Sequence, residues 1–221
     1  MTNKNLNSLE LAQGDQVLKD DYNLSEILAK SPDKRLVILG GNGIKQDSYY
    51  YLKTVFLTRT VAQAGISVMT GGGAGIMEAA NKGAKTANSS ASSYGLRVES
   101  IGEEISASNS YIDKSCGFMF KTLAVRLITL LSSANAIVFF PGGFGTLEEL
   151  FSLLVRLKIG IMNNIPVYLY GSKFWSGLIS WLDNTVRNEG VINEEHLKLF
   201  KIEDDIEKIS KDIISCCMKE N

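Results

Sequence analysis

Glycine clusters that follow short apolar runs and precede helical stretches constrain this chain more than any other feature. Ten of its twenty glycines fall in three groups: Gly40, Gly41 and Gly43; Gly71, Gly72, Gly73 and Gly75; and Gly142, Gly143 and Gly145. Apolar runs suited to buried parallel strands stand at Leu36–Leu39, Ile66–Met69, Ala136–Phe140 and Pro166–Tyr170, with a weaker one near Tyr94–Val98. Between them the pattern predicts helices over Ser48–Ala64, Gly75–Lys85, Gly117–Ser132, Thr146–Ile159, Phe174–Arg187 and Asp204–Cys217. Strand and helix alternate, so the expected fold class is α/β with a mostly parallel sheet and right-handed crossovers. Residues 1–32 read as a polar leader with one short helix at Leu24–Lys30, ahead of a single domain over 33–221.

In such a fold the turns after the strands share the carboxyl edge of the sheet, where ligands bind. Glycine lets the backbone approach a ligand closely, and helix N-termini offer N–H groups to anions. Three clusters on one edge therefore point to a phosphate-bearing small molecule. No GxxxxGK[ST] occurs, which disfavours a Walker-type nucleoside triphosphatase, and GGNGIK is not a proper dinucleotide fingerprint.

Composition removes other chemistries. A single histidine, His196, cannot build a multi-histidine metal site, and three cysteines without a CxxC pair suggest no disulfide framework. The formal charge of −1 gives no general attraction to nucleic acid or acidic membrane. The most apolar stretch, Leu123–Phe140, carries Arg126 and is too polar for a membrane span. The sequence reads as soluble and cytoplasmic.

The segment AIVFFPGGFGTLEEL (136–150) is the richest in information. A strand runs into Pro141 and the glycines, and Thr146 opens a helix. Thr146 and Glu149 match a capping box, in which Glu149 only reaches back to a backbone N–H. The alternative is a carboxylate held one turn inside a phosphate site. On the preceding helix, Thr122, Arg126, Thr129 and Ser133 form one polar stripe on an otherwise apolar surface. Arg126 there either pairs with a buried acid, faces an anionic ligand, or points to solvent.

GGGAGIMEAANKGA (71–84) and PGGFGTLEE (141–149) resemble the two signature motifs of the Lonely-guy phosphoribohydrolase family, whose members were often labelled "possible lysine decarboxylase". The resemblance runs from about Arg35 through Trp181. It implies a Rossmann-like doubly wound fold, usually dimeric, that hydrolyses the N-glycosidic bond of a nucleoside 5′-monophosphate such as AMP or a cytokinin riboside monophosphate. The family's catalytic arginine corresponds to Arg126 and its glutamate to Glu149. The nucleotide and its phosphate would be held by Gly40, Gly41, Gly72, Gly73, Met77, Gly142, Gly143, Gly145 and Thr146. No metal and no redox cofactor is required.

The chain departs from the family pattern in places. Leu127 and the Gly40–Gly43 turn lack basic residues common there, Lys158 and Ser152 replace a glutamine and a glutamate, and Glu103 or Glu104 stands in for a loop glutamate. These departures motivate an alternative reading as a non-catalytic nucleotide sensor or a molybdenum-cofactor carrier of the same fold. A literal decarboxylase would need pyridoxal phosphate on a lysine, and no lysine stands in a recognisable cofactor-binding context. Of the remaining residues, His196 is expected on an exposed helix, Cys116 packed, and Trp175 and Trp181 in packing or a dimer interface.

Overall fold

A computed structural model describes residues 8–99 and 108–218, with side chains from residue 16 onward. The expected strands are present as β1 (Arg35–Leu39), β2 (Ser67–Thr70), β3 (Ser93–Val98), β5 (Ala136–Phe139) and β6 (Val167–Tyr170). Two short ones join them: β4 (Gly117–Phe120) and β7 (Lys201–Glu203). The seven form one sheet in the order β4-β3-β2-β1-β5-β6-β7, and every pair is parallel.

The central strands are buried from end to end, and their alternate residues serve two layers. Val37, Leu39, Ile137 and Phe139 face one side with α1 (Ser8–Lys30), α4 (Leu123–Ser132), α5 (Phe144–Lys158) and α6 (Ser172–Trp181). Leu36, Ile38, Ala136 and Val138 face the other with α2 (Tyr49–Gln63), α3 (Ile76–Lys85) and α8 (Ile206–Cys217). A short α7 (Glu194–Leu197) precedes β7. This is a three-layer Rossmann-like α/β domain. No helix among the described residues is long and apolar enough to cross a membrane.

Three expectations need correction. The helix predicted over Gly117–Ser132 is a strand for its first four residues and becomes α4 only at Leu123, because β3 recruits GFMF as an edge strand (Gly95↔Gly117 through Val98↔Phe120). The short helix at Leu24–Lys30 is the end of the 23-residue α1. That helix docks through Leu28 in the core and through Asp21, whose two carboxylate oxygens accept the Lys121 and Thr122 N–H groups at 2.9 and 2.7 Å. A carboxylate at the N-terminus of α4 satisfies donors that the helix itself leaves open. Finally, the helix predicted over Phe174–Arg187 is α6 continued by a π-helical turn, Leu182–Val186.

His196 is half-buried on α7, where its Nδ1 accepts the Asn193 N–H. Cys116 is buried, as expected. Trp175 is fully buried and donates Nε1–H to the Tyr170 carbonyl, whereas Trp181 is exposed.

Candidate functional site

The strand order reverses between β1 and β5: successive strands from β1 proceed one way, and those from β5 the other. A crevice opens at that switch point, outside the carboxyl ends of the strands. The three glycine turns meet there. Gly41 donates its N–H to the Pro141 carbonyl at 2.9 Å, and its own carbonyl accepts the Ile76 N–H at the head of α3 at 3.1 Å. Gly142 packs so tightly that an added Cβ would lie 2.6 Å from the Thr146 Cβ and 2.9 Å from the Gly41 nitrogen. Glycine is needed there because two backbones touch.

Helix α5 starts on Gly143, and no side chain caps it. Its first helical bond runs from the Leu147 N–H to the Gly143 carbonyl. The N–H groups of the first turn, Phe144 to Thr146, are therefore left for another acceptor, at the positive end of the helix dipole. This overturns the capping-box reading: Thr146 lies inside the first turn instead of capping it, and Glu149 reaches elsewhere.

Glu149 pairs with Arg126. Arg126 Nη1 donates to Glu149 Oε1 at 2.8 Å, and the two side chains are 11% and 13% exposed. Arg126 Nε–H is fixed by the Leu96 carbonyl at 2.9 Å, while Nη2 lies against the Gly71 α-carbon, where a side chain would collide with it. Of the readings open for Arg126, the buried acid is the partner found. Burial pushes the Glu149 carboxyl above its ordinary 4.5; the charge and hydrogen bond of Arg126 oppose that rise, and Glu148 adds to it.

A cleft of about 290 Å³ opens on this pair. It is lined by Gly40, Gly41, Met77, Gly143, Gly145 and Thr146 together with Arg126 and Glu149. Three of the sequence-derived positions do not line it. Gly142 lies beneath as a spacer, and Gly72 and Gly73 turn their carbonyls to Asn109 N–H and Nδ2–H at 3.2 and 3.0 Å. They anchor the NSYID segment.

A family profile described as "possible lysine decarboxylase" matches residues 77–213. The chain belongs to this family. It is similar to a cytokinin riboside 5′-monophosphate phosphoribohydrolase from Arabidopsis thaliana, 25% identical over 173 residues that span 74% of this chain and 75% of that one. It is 30% identical over 91 residues to a bifunctional cytokinin biosynthesis protein from Fusarium pseudograminearum (strain CS3096). That match spans 41% of this chain and only 18% of the Fusarium protein. Among solved structures, the molybdenum cofactor carrier protein from Chlamydomonas reinhardtii aligns with a TM-score of 0.58 at 22% identity, over 85% of this chain and 99% of its own. The molybdenum cofactor binding protein from Rippkaea orientalis gives 0.57 at 22%, over 84% and 98%. These two likenesses show the fold.

Within this member of the possible lysine decarboxylase family, two cleft residues escaped the sequence reading: Asn42 and Phe144. Both stand between glycines in a turn, and Phe144 is 93% exposed, a signal that only the folded chain reveals. Glu103 and Glu104 lie outside the described residues. No lysine is among the described residues that line the cleft, so none of them offers an anchor for a pyridoxal phosphate Schiff base.

Proposed function

We propose that the chain hydrolyses the N-glycosidic bond of a nucleoside 5′-monophosphate, releasing free base and ribose 5-phosphate. The observation that carries this reading is the Arg126–Glu149 pair, held at 2.8 Å on the glycine-lined cleft. Family membership and the similarity to the Arabidopsis phosphoribohydrolase support it.

The 5′-phosphate takes the open N–H groups of Phe144, Gly145 and Thr146 at the head of α5. That remote contact places the ribose C1′ near Glu149. Breaking the C1′–N bond sends its electron pair to the base and leaves oxocarbenium-like charge on the sugar, which the carboxylate stabilises. Water then attacks C1′. Glu149 accepts its proton, and the departing base gains a proton in turn. Arg126 favours the ionised form of Glu149 against its burial and offers positive charge to the base or the phosphate.

The test is to incubate the chain with AMP, GMP, CMP and isopentenyladenosine monophosphate and to follow released base by chromatography. If none releases base, the hydrolase reading fails. One observation favours a second reading, nucleotide binding without turnover: Arg126 is the only cation lining the cleft among the described residues, and it is already engaged by Glu149. Saturable AMP binding with no hydrolysis over hours selects that reading, and steady turnover removes it. The family resemblance also carries a homodimer. Light scattering tests it, and a mass of 24.2 kDa overturns it.

A further inference from the structure

A second cleft, of about 330 Å³, lies at the other end of the β1–β5 pair, where α1 and α4 finish and the two strands begin. Ser31, Asp33, Lys34, Arg35, Ser133 and Asn135 are in its lining. Arg35 opens β1 and is only 4% exposed. A guanidinium has five N–H groups. Here Nη2 uses two of them, on the Leu28 and Ser31 carbonyls at 2.9 and 3.0 Å. Nε is buried with no hydrogen-bond partner.

No carboxylate pairs with this arginine among the described residues. The acid in the cleft, Asp33, turns Oδ2 to the Tyr94 hydroxyl at 2.6 Å and to the Ser67 hydroxyl at 3.2 Å. The guanidinium carbon lies 5.8 Å from the centre of the Tyr94 ring. The carbonyls at the end of α1 explain why a cation is welcome there. They do not explain why the Nε–H of a buried charge is left without an acceptor, since such a group is costly unless satisfied. With Lys34 beside it and Asp33 opposed, the lining carries one net positive charge.

We propose that this cleft binds a small oxyanion, a carboxylate or a phosphate group, with Arg35 as its counter-ion. An unshared guanidinium N–H suits either. The proposal is independent of the hydrolase reading, because it concerns the opposite edge of the sheet.

Equilibrium dialysis of the full chain against labelled inorganic phosphate, with labelled acetate as a parallel arm at fixed ionic strength, tests it. Ser31→Asp places a carboxylate within reach of Arg35 and keeps the arginine, so folding is not put at risk by its loss. Gly143→Asp blocks the carboxyl-edge cleft, where an added side chain meets nothing within 4 Å. The expected result is one saturable equivalent that survives Gly143→Asp and weakens at least tenfold in Ser31→Asp. Phosphate alone or acetate alone showing this behaviour assigns the group. Equal binding in Ser31→Asp and the unsubstituted chain, loss in Gly143→Asp alone, or binding of neither anion overturns it.

Discussion

The two ends of the β1–β5 pair each bury an arginine beside a cleft, and they neutralise it differently. At the carboxyl end Arg126 meets a carboxylate at 2.8 Å, beside a helix head whose N–H groups are open. At the amino end the Arg35 guanidinium meets main-chain carbonyls and the Tyr94 ring, and no carboxylate among the described residues, where two helices run out. A paired charge can exchange partners with a ligand and share a proton with it. An arginine resting on carbonyl dipoles keeps its charge, which on the proposal above serves to hold an anion. On the two proposals, the same residue type serves a reactive centre at one edge and a receptor at the other.

The largest expected effect separates a reactive pair from a merely neutralised one. Glu149→Gln keeps the side chain's size and a hydrogen-bonding group but removes the base, and base release should fall about 10²- to 10⁴-fold, measured with AMP. Full activity in that variant would reduce the carboxyl end to another buried arginine. Next comes stability. Arg126→Met strands a buried carboxylate and should cost about 2–4 kcal/mol by urea unfolding at neutral pH, whereas Arg35→Met strands no charge and should cost less than about 2 kcal/mol. Equal costs would erase the distinction.

A smaller effect is steric. Gly142→Ala should cost about 1–3 kcal/mol, because its Cβ falls between Thr146 and Gly41, while Gly143→Ala, which meets nothing within 4 Å, should cost well under that. The smallest effect is in pH. Folding raises the Glu149 pKa above 4.5, so between that ordinary value and the folded value the folded chain holds more protons. Stability from this group therefore rises as pH falls through the folded value and is fully present below 4.5. Base release runs the opposite way, losing activity on an acid limb that lies above 4.5. Thermal unfolding against pH, compared with Glu149→Gln, should show the difference in slope confined to that window.

The central strands were legible because each is a continuous apolar run, and the glycines punctuate them. β4 was not, since three of its four residues are at least partly exposed and its pattern runs on into α4. β7 has three residues, none of them buried. Among the described side chains of α1 so few are buried that its anchors, Asp21 and Leu28, gain meaning only once α4 and the core are in place. Arg126 and Glu149 stood out as a lone charge on an apolar helix and an acid behind glycines, but their meeting is a long-range fact. The capping box misled because Thr-x-x-Glu is a local pattern, and helix α5 had already begun at Phe144. Arg35 gave no sign at all: before folding it is one basic residue ahead of a strand.

The strand order has a further consequence for how the chain is born. The sheet grows outward from β1 through β4 and then begins again on the other flank with β5. Gly41 and Arg126 emerge from the ribosome with the first half, Glu149 and the α5 head with the second. A nascent chain stopped before residue 136 can order most of four strands and carries every lining residue of the amino-edge cleft, yet lacks the α5 half of the carboxyl-edge one. Ligand binding at the carboxyl edge thus reports that both halves have been made and joined.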